Sequence, residues 1–280
     1  MKNLNPYQLN SFDYFQLVCS RKQNTVGNPN YLANLLSLEP NISILYDRYD
    51  QSFQNNDLAA LAVHGFVGTD DSDLRALYQY KSKSLQELRT ILTTTDHGRV
   101  VKCQHCTING ANSFDHFLPQ SEFVEFMVHP LNLIPCCTEC NGHKSNNWRN
   151  GQLRTALNLY LDQLPALQYL FVEFEIGNHT INTQFYLNNV NSINGNLFSM
   201  LEDHYDNLEL YRRFAEEADG VVSSFKDTIE VHRGNNSLIE TRQFIKQILQ
   251  KEQAAFGFNY WQSIIKLELI DNDDFLIDFD

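Results

Sequence analysis

Cys103-Gln104-His105-Cys106 and Cys137-Thr138-Glu139-Cys140 are two Cys-x2-Cys knuckles in one chain. Each knuckle can set two thiolates on one tetrahedral ion at about 2.3 Å, so the pair specifies a closed structural Zn²⁺ site on Cys103, Cys106, Cys137 and Cys140. Five of the six cysteines lie between Cys103 and Cys140, and the opening Met1-Lys2-Asn3-Leu4-Asn5-Pro6 lacks the apolar core of a secretory signal. A cytoplasmic protein is therefore expected, and cysteines clustered at this spacing there favour metal over disulfides. The stretch between the knuckles exceeds the insert of about 15–20 residues in a simple paired-knuckle ribbon, so something else occupies it.

That stretch holds Phe114-Asp115-His116-Phe117-Leu118-Pro119 and then His129-Pro130-Leu131-Asn132-Leu133-Ile134-Pro135, and the second knuckle runs on into Asn141-Gly142-His143-Lys144. The order Cys-x2-Cys, Asp-His-x-x-Pro, Asn-Leu, Cys-x2-Cys-Asn-x-x-Lys resembles that of HNH endonucleases with a ββα-metal fold and a zinc-bound frame. The resemblance covers Cys103 to Trp148 and implies a hairpin followed by a helix that starts near the second knuckle. It also implies that Asp115 and Asn141 hold a catalytic Mg²⁺ or Mn²⁺ through oxygen, and that His116 is the general base that takes a proton from the attacking water. An imidazole suits this work because its ordinary pKa of about 6.5 leaves it mostly neutral slightly above pH 7. Asn132 matches the residue that braces the hairpin loop and so orients the base. Lys144 falls three positions beyond Asn141, on the same helical face, where it either contacts a substrate phosphate or is solvated.

Two features depart from the simplest form of the pattern. Asn141 stands where the third letter of the family name is often His, with His143 nearby. Successive strand residues point to opposite faces, so Asp115 and His116 can serve one phosphate only if the strand twists or ends there, as Pro119 suggests.

Outward from this segment the pattern is helical. Pro6 to Lys22, Asn28 to Leu38, Leu58 to Val63 and Asp73 to Leu92 read as helices, as does Gln152 to Leu164, whose Leu153, Leu157, Tyr160, Leu161 and Leu164 form one apolar stripe. Phe171 to Ile176 and Thr180 to Leu187, joined at Gly177-Asn178, suggest a β-hairpin. Asn196 to Ala218, Gly220 to Val231 and Ser237 to Ile265 read as helices, with Ser237 and Glu240 spaced as a capping box. The acidic tail Asp271 to Asp280 is expected to fray. The fold class is thus α+β and mainly helical: a central zinc-bound ββα-metal module at 98–150, between an N-terminal helical region at 1–97 and a C-terminal, mostly helical region at 151–280 with a hairpin near 171–187.

The remaining cysteines and histidines read as bland: His105 as exposed filler in its knuckle, Cys136 as buried and unligated, Cys19 as core, and His129 as a loop histidine near Asn132. A zinc deaminase needs His-x-Glu and Pro-Cys-x-x-Cys, and Glu139 stands where the second cysteine would follow Pro135-Cys136. A non-catalytic zinc-ribbon scaffold has no use for Asp115 and His116. A metal-dependent endonuclease acting on DNA is the expected function.

With 42% hydrophobic residues the chain can bury a core, and no apolar run is long enough to span a membrane. The net charge of −13 opposes a polyanion, and within 98–150 Arg99, Lys102, Lys144 and Arg149 face Asp115, Glu122, Glu125 and Glu139. The isolated chain is therefore expected to bind DNA weakly and to need a protein partner or a second copy of itself. In plan it looks similar to HNH subunits of bacterial antiphage systems of the Septu type, which pair with an ATPase subunit. A restriction or mobile-element nuclease is the competing role.

Overall fold

The computed structural model describes residues 1–95, 98–176 and 181–276, and its contacts group the chain into two compact units. One comprises Asn3–His105 and Asn109–Gln163, and the other Met1–Lys2, Cys106–Ile108 and Leu164–Asp280. The N-terminal helices thus share a unit with most of the knuckle segment, Cys106–Ile108 excepted. The architecture is α+β and about half helical, with small two-stranded antiparallel sheets.

The first unit opens with α1 (Ser11–Ser20), α2 (Tyr31–Gln54), a 3-10 turn at Leu58–Ala60, α3 (Gly68–Arg75) and α4 (Lys83–Thr93). α1 begins later than Pro6 because Asn10 is its cap, its side chain accepting from Asp13 N at 2.9 Å. α2 runs well past Leu38 and through Pro40, although proline removes a helix donor. Tertiary packing compensates: Leu35, Leu38, Ile42, Leu45, Tyr49 and Phe53 form one buried stripe that continues across the proline. The expected single helix Asp73 to Leu92 is two helices, with Ser82 extended at the head of α4 (φ −64°, ψ 152°).

A short ladder, β1 (Thr94–Thr95) with β2 (Gly98–Arg99), leads into the central hairpin. β3 (Ser113–His116) pairs antiparallel with β4 (Leu133–Cys136), and α5 (Thr138–Lys144) follows directly. Next, β5 (Arg149–Asn150) pairs with β6 (Leu153–Arg154). The helix expected over Gln152 to Leu164 is absent. Of its stripe only Leu157 and Tyr160 are buried, beside Ala156 and Leu159, while Leu153 is exposed, and polar side chains hold the backbone in turns: Asp162 Oδ2 accepts from Asn158 N at 2.7 Å, and Asn158 Oδ1 accepts from Tyr160 N at 3.0 Å. Arg154 fixes the same carboxylate through two bonds of 2.8 and 2.6 Å.

The second unit contains the expected hairpin, β7 (Leu170–Ile176) with β8 (Ile181–Leu187), while its Gly177-Asn178 turn lies outside the described residues. Four helices and a last turn follow: α6 (Gly195–Asn207), α7 (Leu210–Arg233), α8 (Leu238–Phe256), α9 (Trp261–Asp271) and α10 (Asp273–Leu276). Gly220 lies inside α7, where buried Ala218, Val222 and Phe225 hold the helix against a glycine cost of about 1 kcal/mol. The break comes instead at Glu209, which adopts a left-handed conformation. The Ser237–Glu240 capping box is formed, and α8 ends at Gly257 (φ +105°), where a Cβ would lie 2.0 Å from Met1 O. In the tail, Phe275 and Leu276 are buried on α10 against the expected fraying, and residues 277–280 lie outside the described residues. No helix among the described residues is long and apolar enough to cross a membrane.

Candidate metal centre and active site

The ligand atoms of Cys103, Cys106, Cys137 and Cys140 lie within 4.8 Å of one another, and all four residues are buried. Two backbone donors point at the sulfurs, Ile108 N to Cys106 Sγ at 3.4 Å and Cys140 N to Cys137 Sγ at 3.3 Å. Such N–H···S bonds offset thiolate charge, and four thiolates at this separation fit a tetrahedral Zn²⁺. Cys137 also caps α5, so one side chain belongs both to the cluster and to the head of the helix that carries Asn141 and Lys144. Cys136 is buried outside the cluster, and burial raises its thiol pKa well above the ordinary value. His105 is buried rather than exposed.

β3 pairs Asp115 with Ile134 and His116 with Leu133, and then ends. Because the strand stops there, Asp115 and His116 both line one cavity of about 310 Å³, together with Pro119, Gln120, Thr138 and Asn141. Asp115 Oδ1 accepts from Lys144 Nζ at 3.0 Å, whereas its buried Oδ2 has no hydrogen-bond partner among the described residues. Asn141 Nδ2 donates to Ser113 Oγ at 3.2 Å.

His116 Nε2 lies 3.0 Å from Met127 O. A carbonyl only accepts, so the proton sits on Nε2 and the Nδ1 lone pair is the basic one. The Tyr78 ring packs edge-on against the imidazole at 4.6 Å. Burial lowers the His116 pKa to about 4, outweighing the Met127 bond and the Asp115 charge, which act the other way. The neutral imidazole is therefore favoured across the physiological range.

Asn132 is fully buried, and its side chain ties the backbone at Leu118 to that at Phe126. Its Oδ1 accepts from Leu118 N at 2.7 Å, and its Nδ2 donates to Leu118 O and Phe126 O, each at 3.2 Å. Tyr49 Oη donates to the same Oδ1 at 3.3 Å. Since Phe126 directly precedes Met127, Asn132 is tied to the loop whose carbonyl lies against His116 Nε2. His129 lies in a loop, as expected, and is buried between Tyr46 and Tyr49, with ring centroids at 4.2 and 4.0 Å.

Lys144 differs from both expectations. It is neither solvated nor presented to a phosphate: its buried Nζ donates to Asp115 Oδ1, to His116 O at 2.9 Å and to Phe117 O at 3.3 Å. The ammonium thus fixes the end of β3 against α5. Lys144→Met leaves a buried carboxylate without its cation and is expected to cost about 3–5 kcal/mol, read as a lower urea midpoint. An unchanged midpoint would mean that the pair contributes nothing to the fold.

Two of the buried imidazoles, His116 and His129, have lowered pKa values, in both cases chiefly through burial. The unfolded chain takes up these protons first, so the contribution of His116 is complete above about pH 6.5 and is lost as pH falls toward 4. Between about pH 7.5 and pH 5 stability should fall by on the order of 1–2 kcal/mol through His116, and less in His116→Ala. An identical drop in the variant, measured by urea denaturation, contradicts the burial of a neutral base.

Tyr78, the Met127 carbonyl and Arg75, which donates to Gln120 O at 2.7 Å, escaped the sequence reading. Only the Asp71–Arg75 pair carried a signal, as an acid and a base four residues apart on a helix.

No family model matches the chain, and no solved structure matches it. It is 26% identical over 187 residues to "Protein ea31" of Escherichia phage lambda. That similarity spans 62% of this chain and 63% of the phage protein, so over a third of each lies outside it. A phage relative and a buried four-cysteine cluster are compatible with a nuclease or mobile-element function.

Proposed function

We propose that the chain is a metal-dependent endonuclease of HNH type that hydrolyses phosphodiester bonds in DNA. The observation that carries this reading is the convergence of Asp115, His116 and Asn141 on one cavity, at the end of a hairpin and the start of the helix that follows it. In this reading β3, β4 and α5 are the ββα-metal element, framed by a structural zinc on the four cysteines.

The residues fit a hard divalent cation: Asp115 and Asn141 line the same cavity, and the buried Asp115 Oδ2 has no hydrogen-bond partner among the described residues. Mg²⁺ or Mn²⁺ held there supplies positive charge against the phosphate and the departing 3′ oxygen. The chain's own residues do the remaining work. His116 accepts the proton of the attacking water at Nδ1, while Met127 O keeps Nε2 protonated and the ring oriented. Asn132 holds the loop that carries that carbonyl, and Lys144 fixes the carboxylate through Oδ1, leaving Oδ2 without a partner among the described residues.

The charge distribution supports a partner. Residues 164–280 carry 19 Asp and Glu against 8 Lys and Arg, whereas residues 1–163 carry 15 against 13. The acidity thus belongs mainly to the C-terminal part, which suits a basic partner or a second copy better than it suits DNA. The phage relative favours a phage or mobile-element setting over an antiphage one with an ATPase subunit.

The test is incubation of the purified chain with supercoiled, linear and branched DNA, and with RNA, in Mg²⁺ or Mn²⁺. Metal-dependent cleavage that stops reversibly on chelation is the expected result. A scaffold role predicts no cleavage of any of them, alone or with copurifying proteins.

A further inference from the structure

The residues lining the cavity of Asp115 and His116 include no lysine or arginine, although a cleft for a phosphodiester needs donors for the phosphates beside the reacting one. Nearby cations are engaged elsewhere. Lys144 is buried against Asp115. Arg149 lies over the Trp148 ring and donates to Ala59 O at 2.8 Å, and Arg154 is paired with Asp162.

Arg75, the last residue of α3, is placed differently. Its Nε and Nη2 donate to the two oxygens of Asp71, each at 2.8 Å, and its Nη1 donates at 2.7 Å to the carbonyl of Gln120, a residue of the cavity lining. Three of its five N–H groups are engaged in this way, and the other two have no partner among the described residues. The side chain is 39% exposed. A guanidinium held rigid from one side, with donors left toward solvent at the lip of a cleft, is the arrangement by which arginine recognises phosphate.

We propose that Arg75 contacts the nucleic-acid backbone at a phosphate flanking the scissile bond, so that α3, outside the knuckle segment, contributes to the substrate cleft. The inference rests on the nuclease reading for its substrate.

The test separates charge from mere support of the Gln120 carbonyl. Arg75→Gln keeps a side-chain donor and removes the charge; Arg75→Lys keeps the charge and loses the fork. Binding of the full-length chain to a short labelled DNA duplex is titrated with salt, without divalent metal. Arg75→Gln should weaken binding roughly tenfold at low salt and lower the slope of log affinity against log salt by about one, while Arg75→Lys keeps most of that slope. Where cleavage is measured, KM should rise in Arg75→Gln with kcat within about twofold. Affinity and slope equal to wild type, or no binding by either protein, overturn the proposal, as does a fall in kcat with the slope unchanged. Failure of the wild type to cleave under any metal counts against the nuclease reading alone, because the salt slope scores Arg75 without it.

Discussion

His116→Ala is expected to lower the cleavage rate by about 10²–10⁴ while the chain keeps its zinc and its fold. The imidazole accepts a proton at one nitrogen and is no cysteine-cluster ligand, so its loss removes a base without opening the metal frame. Cleavage rates on a common substrate, with zinc content and circular dichroism on the same samples, test this. Wild-type rates in the variant on every substrate would falsify the assignment of His116. Lost activity together with lost zinc would instead make His116 structural. Asp115→Ala and Asn141→Ala should shift the dependence on Mg²⁺ or Mn²⁺ instead of removing the base.

Replacing Cys103 and Cys106 by serine is expected to unfold the knuckle segment and remove all cleavage. Structural zinc contributes on the order of 10–16 kcal/mol of apparent binding energy in small zinc-stabilised peptides, more than a typical domain's net stability. Here the strands are short: β3 and β4 have four residues each, and α5 has seven. Elements of this size do not hold by themselves, and Cys137 joins the cluster directly to the head of α5. Zinc analysis should find one ion per wild-type chain, and proteolysis of the double variant should cut between 103 and 148. A zinc-free wild-type chain that is fully folded would end this account.

The parts legible in sequence were those written in local spacing. Two knuckles, an Asp-His pair before a proline, and an Asn directly after the second knuckle need only short-range regularity to be recognised; the structure gathers the four cysteines at one cluster and sets Asp115, His116 and Asn141 on one hairpin and the helix after it. What depends on distant packing was illegible. The lysine at 144 looks like any solvated or phosphate-binding lysine until the end of β3 is known to lie over it. Tyr78 reaches His116 from the linker between two helices, with no periodicity to announce it. The helix expected to end at Leu38 is carried through Pro40 by a buried stripe, and the leucines from 153 to 164 gave a helical pattern that Asn158 and Asp162 override through their own backbone bonds.

The proton of His116 is placed by a main-chain oxygen, that of Met127. Every amino acid supplies that oxygen, so no substitution at position 127 can delete it, and mutation there acts only through packing volume and the path of the loop. The tautomer of His116 is therefore controlled at one remove, by residues such as Asn132 that hold the loop in place, and the side chain at 127 matters to it only through how it fills the core.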